Sequence, residues 1–140
     1  MAEYSTEREF EMSAEALWAV VRDFGEVDWL PGNPTYSSEG TGPGMIRTID
    51  MPPIPTVREQ LEAIDEDERR VSYRILEGLP MPLTGYRAAM QVVDAGGGRS
   101  RLVWSSQWEP DGVTEEEARA VVANMYDSVM GVMKANLEKG

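Results

Sequence analysis

The chain has 140 residues, the size of one ordinary domain and enough to bury a real core. Its net charge of −12, from 25 acidic and 13 basic residues, disfavours nucleic acids and anionic membrane surfaces, which are recognised through basic patches. It has neither cysteine nor histidine, which removes disulfides, thiolate metal sites, cysteine nucleophiles and imidazole-based triads, so any acid–base chemistry falls to carboxylates, lysine, tyrosine or water.

Residues 4–12 alternate Glu7, Glu9 and Glu11 with Thr6, Arg8, Phe10 and Met12, and this period of two predicts a half-exposed strand. Ser13 then caps a short helix running to Phe24, with Leu17, Trp18, Val20 and Val21 on its apolar face and Gly25 as its stop. Residues 27–30 can add a second helical turn before Pro31 and Gly32 break the chain. A meander of strands follows at 36–39, 44–50, 57–64, 70–76, 83–94 and 101–109. The Pro52, Pro53, Pro55 cluster, an acidic turn, the Gly78, Pro80, Pro82 bend and the Gly96 to Gly98 turn separate its later members. Connections this short require antiparallel neighbours, since parallel strands need a long crossover. Thr114 and Glu117 then have the spacing of a capping box and open one long helix reaching Lys139. Along it Ala118, Val121, Val122, Met125, Val129, Val132, Met133 and Leu137 recur at three- and four-residue intervals, a single apolar stripe that must bury itself on the sheet.

Two patterns suggest chemistry only superficially. Gly40, Gly42 and Gly44 lead into a strand, whereas a phosphate loop must open a helix, so no nucleotide cofactor is expected. The acidic cluster Asp65, Glu66, Asp67, Glu68 lacks the glycine and distal glutamate of a calcium loop and reads as a solvated turn, so no metal is expected either. No apolar run reaches membrane-spanning length and the first residues form no signal region, which predicts a cytoplasmic protein without membrane insertion.

Hairpin centres set which side chains share the inward face, because a one-residue slip would reverse them. Pairing about Gly97 places Val92 opposite Leu102, Met90 opposite Trp104, Ala88 opposite Ser106 and Tyr86 opposite Trp108, with Arg87, Gln91, Arg101 and Gln107 facing water. Pairing about Pro53 places Ile49 opposite Val57, Arg47 opposite Glu59 and Met45 opposite Leu61, and Val71, Tyr73 and Ile75 extend that face. Arg47 and Glu59 thus fall on an otherwise apolar face, where each ion carries a desolvation penalty of several kcal/mol. They are either a cross-strand salt bridge that fixes register or a polar anchor or general base inside a pocket. A carboxylate beside Arg47 suits a hydrogen-bond acceptor better than a proton donor. Tyr73, Tyr86, Trp104 and Trp108 on one face exceed what a small core needs, and Met125, Met130 and Met133 can conform to an irregular shape. A ligand cavity and a fully packed core are both compatible with this set.

Several segments carry a family likeness: the helix start Ser13-Ala14-Glu15-Ala16-Leu17-Trp18, then Trp29-Leu30-Pro31, Gly44-Met45-Ile46-Arg47 and Val57-Arg58-Glu59-Gln60-Leu61. Tyr73, Trp104 and Glu109-Pro110 complete the set. Together with the element order they resemble the helix-grip superfamily of START-related lipid-binding proteins and major pollen allergens, and within it the bacterial polyketide cyclase/dehydrase and lipid-transport family. The resemblance covers nearly the whole chain. It implies an α+β fold, a curved seven-stranded antiparallel sheet wrapped around a long C-terminal helix, with two short helices between strands 1 and 2. Residues 1–140 would form a single ligand-binding domain with a cavity between sheet and helix.

Trp29, Leu30 and Tyr36 would lie near the cavity mouth, while Met125, Tyr126, Val129 and Met133 would supply the helical wall. With Tyr73, Tyr86, Met90, Trp104 and Trp108 from the sheet, these are the candidate ligand contacts. Three functions are compatible with the resemblance. The first is binding of a small hydrophobic, aromatic or polyketide-like molecule, as monomer or homodimer and without a cofactor. The second is a cyclase- or dehydratase-type enzyme, with Glu59, Arg47 and Tyr73 as the catalytic candidates and Tyr73 or Tyr86 stabilising an oxyanion. The third is a stress-response or chaperone-adaptor module, which would expose an apolar patch instead.

Overall fold

The computed structural model describes residues 2–30, 35–50, 55–78 and 81–138. The breaks expected at Pro31 and Gly32, at Pro52 and Pro53, and at Pro80 lie outside them. In chain order the elements are β1 (Ala2–Phe10), α1 (Ala14–Arg22), β2 (Thr35–Glu39), β3 (Ile46–Asp50), β4 (Val57–Asp65), β5 (Arg70–Glu77), β6 (Leu83–Gly96), β7 (Arg99–Pro110) and α2 (Glu115–Glu138). The seven strands form one antiparallel sheet in the order β1-β7-β6-β5-β4-β3-β2. β1 and β2, consecutive strands, are therefore its two edges, and α1 crosses β5, β6 and β7 on the way between them. α2 lies against β1 and β7, and its buried residues share one core with those of α1.

Both helices start as their sequences require. The Ser13 hydroxyl accepts from the Ala16 amide at 3.1 Å. At α2 the Thr114 amide donates to Glu117 at 3.0 Å, and the Glu117 amide donates to the Thr114 hydroxyl at 3.1 Å, a complete capping box. α1 ends at Arg22, two residues before the expected end at Phe24, and no second short helix follows among the described residues. Residues 27–30 form only a hydrogen-bonded turn, the Leu30 amide donating to the Val27 carbonyl at 3.0 Å. Four residues with Pro31 immediately after them cannot extend a helical hydrogen-bond ladder.

Glu66 has more to do than the solvated turn predicts. Its carboxylate accepts from the Trp18 indole at 2.8 Å and from the Arg22 guanidinium, and so pins α1 to the β4–β5 turn. These two donors lower its pKa from the ordinary carboxylate value, Arg22 more than Trp18.

The buried line of α2 is Ala118, Val122, Tyr126, Val129, Met130 and Met133. Val121, expected in the stripe, is exposed. It sits about 100° round the helix from Val122, past the edge of the covered side. The β6–β7 register has Val92 opposite Leu102, Met90 opposite Trp104 and Ala88 opposite Ser106, as expected. The pair Tyr86–Trp108 is not formed: the register runs from Thr84–Glu109 to Arg87–Gln107, so Gly85 and Tyr86 together face Trp108 in a bulge. Gly85 supplies the positive φ of 64° that such a bulge requires. Where β5 ends the chain is tight at Gly78, whose Cβ would sit 1.9 Å from the Thr56 carbonyl oxygen.

Candidate functional site

β3 and β4 pair Arg47 directly with Glu59, and the two side chains meet on the inner face. The Arg47 Nε donates to Glu59 Oε1 at 2.6 Å, and both side chains are nearly buried, 7% and 11% exposed. A second nitrogen, Nη1, donates to the Phe24 carbonyl at 3.1 Å. That carbonyl is free because the chain has already left α1. The guanidinium lies 3.8 Å above the Phe24 ring and 5.2 Å from the Tyr73 ring, so aromatic faces cover its charge. Short charge-assisted bonds and π contacts are what allow such a pair to persist in an apolar interior.

Behind the pair stands an aromatic layer. The Trp104 indole donates to the Tyr73 hydroxyl at 3.1 Å. Its ring stacks on Tyr126 of α2 at 3.7 Å between centroids with an interplanar angle of 5°. The Tyr126 hydroxyl in turn shares a hydrogen bond with the Tyr86 hydroxyl. Sheet and helix are thus joined through side chains from β5, β6, β7 and α2.

Between these groups and α2 lies a cavity of about 150 Å³. Arg47, Glu59 and Tyr73, the residues expected to carry chemistry, border it, with Trp29, Tyr86, Met90, Trp104, Met125 and Val129. Leu30, Ile49, Val57, Ile75 and Met81 complete the lining. Four candidates stand elsewhere. Tyr36, on the edge strand β2, gives its hydroxyl to Asp28 at 2.7 Å. Trp108 is fully buried past the β6 bulge, Met133 is fully buried farther along α2, and Tyr126 lies behind the Trp104 ring that stacks on it. Met81 belongs to the segment read as a Gly-Pro bend, and Phe24 to the end of a helix; their roles depend on contacts distant in sequence. Among the described residues no three carboxylates converge to hold a metal ion.

Residues 1–138 match the family described as polyketide cyclase/dehydrase and lipid transport. The chain belongs to that family. An uncharacterized protein from Bacillus thuringiensis is similar with a TM-score of 0.84 and 27% identity, over 96% of this chain and 98% of its own. XoxI from Bacillus cereus gives 0.81 and 27%, over 97% and 95%. Norcoclaurine synthase from Thalictrum flavum, solved with dopamine and hydroxybenzaldehyde, gives 0.74 and 21%, over 99% and 87%. That last likeness establishes the shared helix-grip fold alone. No curated protein matches the sequence.

In this polyketide cyclase/dehydrase family member the buried phenols are held neutral. Burial pushes the Tyr73 hydroxyl well above its usual range, and the nearby Glu59 carboxylate pushes it further. Burial likewise raises Tyr86, and then Tyr126. A phenol whose folded pKa is raised contributes stability that is complete below its unfolded value of about 10 and falls as pH rises beyond it. Alkaline titration should therefore ionise these three only as the protein opens, so that part of the phenolate absorbance and the loss of far-UV ellipticity rise together. Full phenolate absorbance with ellipticity unchanged would contradict this.

Proposed function

We propose that the protein binds a small, largely apolar or aromatic molecule in the cavity between the sheet and α2. The observation that carries this reading is the make-up of the wall: aromatic, methionine and branched side chains surround a single internally paired Arg47–Glu59 unit. A few placed polar groups in an apolar enclosure orient a ligand without binding it by charge alone. The adaptor-module reading calls for a contiguous exposed apolar patch. Among the described residues the large exposed apolar side chains are Leu76 and Val121, on different elements, which does not favour it. Structural likeness to an enzyme solved with two small aromatic molecules supports the same ligand class.

Trp29 and Trp104 in the wall provide a fluorescence signal. Titration with toluene, naphthalene and decanoate should quench it for at least one of the three. Val129→Trp, which projects a large ring into the cavity from α2, should weaken that binding at least about tenfold while costing about 1–3 kcal/mol of stability. Unchanged affinity in a folded Val129→Trp protein would place any binding outside the cavity and overturn the proposal.

A further inference from the structure

We infer that the Tyr73 hydroxyl is the specificity-determining donor of this cavity, and that its ligand is a neutral, single-ring aromatic compound bearing a hydrogen-bond-accepting oxygen. The inference rests on the binding reading above and deepens it.

A phenol has one proton to give and lone pairs to receive. Tyr73, 2% exposed, receives the Trp104 indole N–H on its oxygen. Among the described residues nothing accepts its own proton. Buried hydroxyl groups are rarely left so. The other phenol of the wall differs, since the Tyr86 hydroxyl is engaged with Tyr126. The Trp104 N–H also polarises the Tyr73 hydroxyl and makes it the better donor. The Tyr73 proton is therefore unspent, as is the buried indole N–H of Trp29 in the same lining, and an oxygen on the ligand that reaches Tyr73 completes its hydroxyl.

The charge of the ligand follows from the same geometry. Arg47 and Glu59 are the charged residues of the lining, and they neutralise each other at 2.6 Å. The guanidinium also serves the Phe24 carbonyl and lies over the Phe24 ring. A ligand carboxylate or ammonium group would enter this enclosure without a free counter-charge, which is strongly disfavoured. The volume sets the size. An apolar cavity of about 150 Å³ accommodates benzene, whereas drug-sized molecules need roughly 300 Å³ or more. One ring fits the observed 150 Å³, and a fused polycycle or long acyl chain does not.

The test is calorimetric titration of the intact protein and of Tyr73→Phe with benzaldehyde, toluene, benzoate, benzylamine and naphthalene. The unmodified protein should bind benzaldehyde about tenfold more tightly than toluene, and both better than the two charged compounds or naphthalene. Tyr73→Phe should keep its affinity for toluene and lose the preference for benzaldehyde. A preference that survives in Tyr73→Phe, or equal binding of benzoate or benzylamine, overturns the inference. Tighter binding of naphthalene overturns it too, yet leaves the binding reading standing. If none of these compounds, nor decanoate, binds the unmodified protein, the parent reading itself fails. A second measurement needs no variant: the carbonyl stretch of bound benzaldehyde should lie at lower frequency than in hexane, and an unshifted band overturns the assignment.

Discussion

Replacing Glu59 with alanine should lower the unfolding free energy by about 3–5 kcal/mol, because it leaves the Arg47 guanidinium buried without its counter-ion. The size follows from the surroundings. Arg47 is 6% exposed, its remaining contacts are one carbonyl and two aromatic faces, and no other carboxylate lines the cavity. The double variant Arg47→Met with Glu59→Leu removes both charges and roughly preserves volume, so it should recover most of the loss. Urea denaturation of Arg47→Met, Glu59→Leu and the double variant beside the unmodified protein forms the cycle that isolates the coupling. A single-variant loss below about 1 kcal/mol would mean that the pair is as weakly coupled as a solvated surface ion pair, and the polar wall described above would not exist.

The next largest effect belongs to Trp104. Truncation to alanine removes the stack on Tyr126, the indole donor to Tyr73 and one wall of the cavity together. The expected cost is about 3–5 kcal/mol, in the range of other buried aromatic truncations. Trp104→Phe should cost less, since it keeps a ring against Tyr126 and loses the indole N–H. The enlarged space in Trp104→Ala should also admit naphthalene, which the unmodified cavity is too small to hold. A Trp104→Ala protein of near-normal stability would show that the aromatic layer does not join sheet to helix.

The parts of this site that were legible in the sequence are those set by local rules. Arg47 opposite Glu59 follows from strand alternation about one hairpin, and Met90 opposite Trp104 from another. The α2 start follows from Thr114 and Glu117 alone. What was not legible depends on long-range packing. The bulge at Gly85 shifts Tyr86 against Trp108, and no alternation rule foresees an inserted residue. Tyr126 lies on the predicted face of α2 yet is screened by Trp104, a residue of β7. Phe24 covers Arg47 because α1 ends early and the chain turns, so an expected helix end becomes part of the site. Val121 shows the same limit in reverse: its spacing is right for the apolar stripe, but the sheet does not extend over it.

The most direct test of an internal binding cavity is site-resolved. Met81, Met90 and Met125 line the cavity, whereas Met12 and Met45 lie away from it. With ¹³C-labelled methionine methyl groups, titration with benzaldehyde should move the resonances of the first three and leave Met12 and Met45 in place. Shifts confined to Met12 or Met45, or no shift at any methionine while benzaldehyde binds by calorimetry, would contradict the cavity as the binding site.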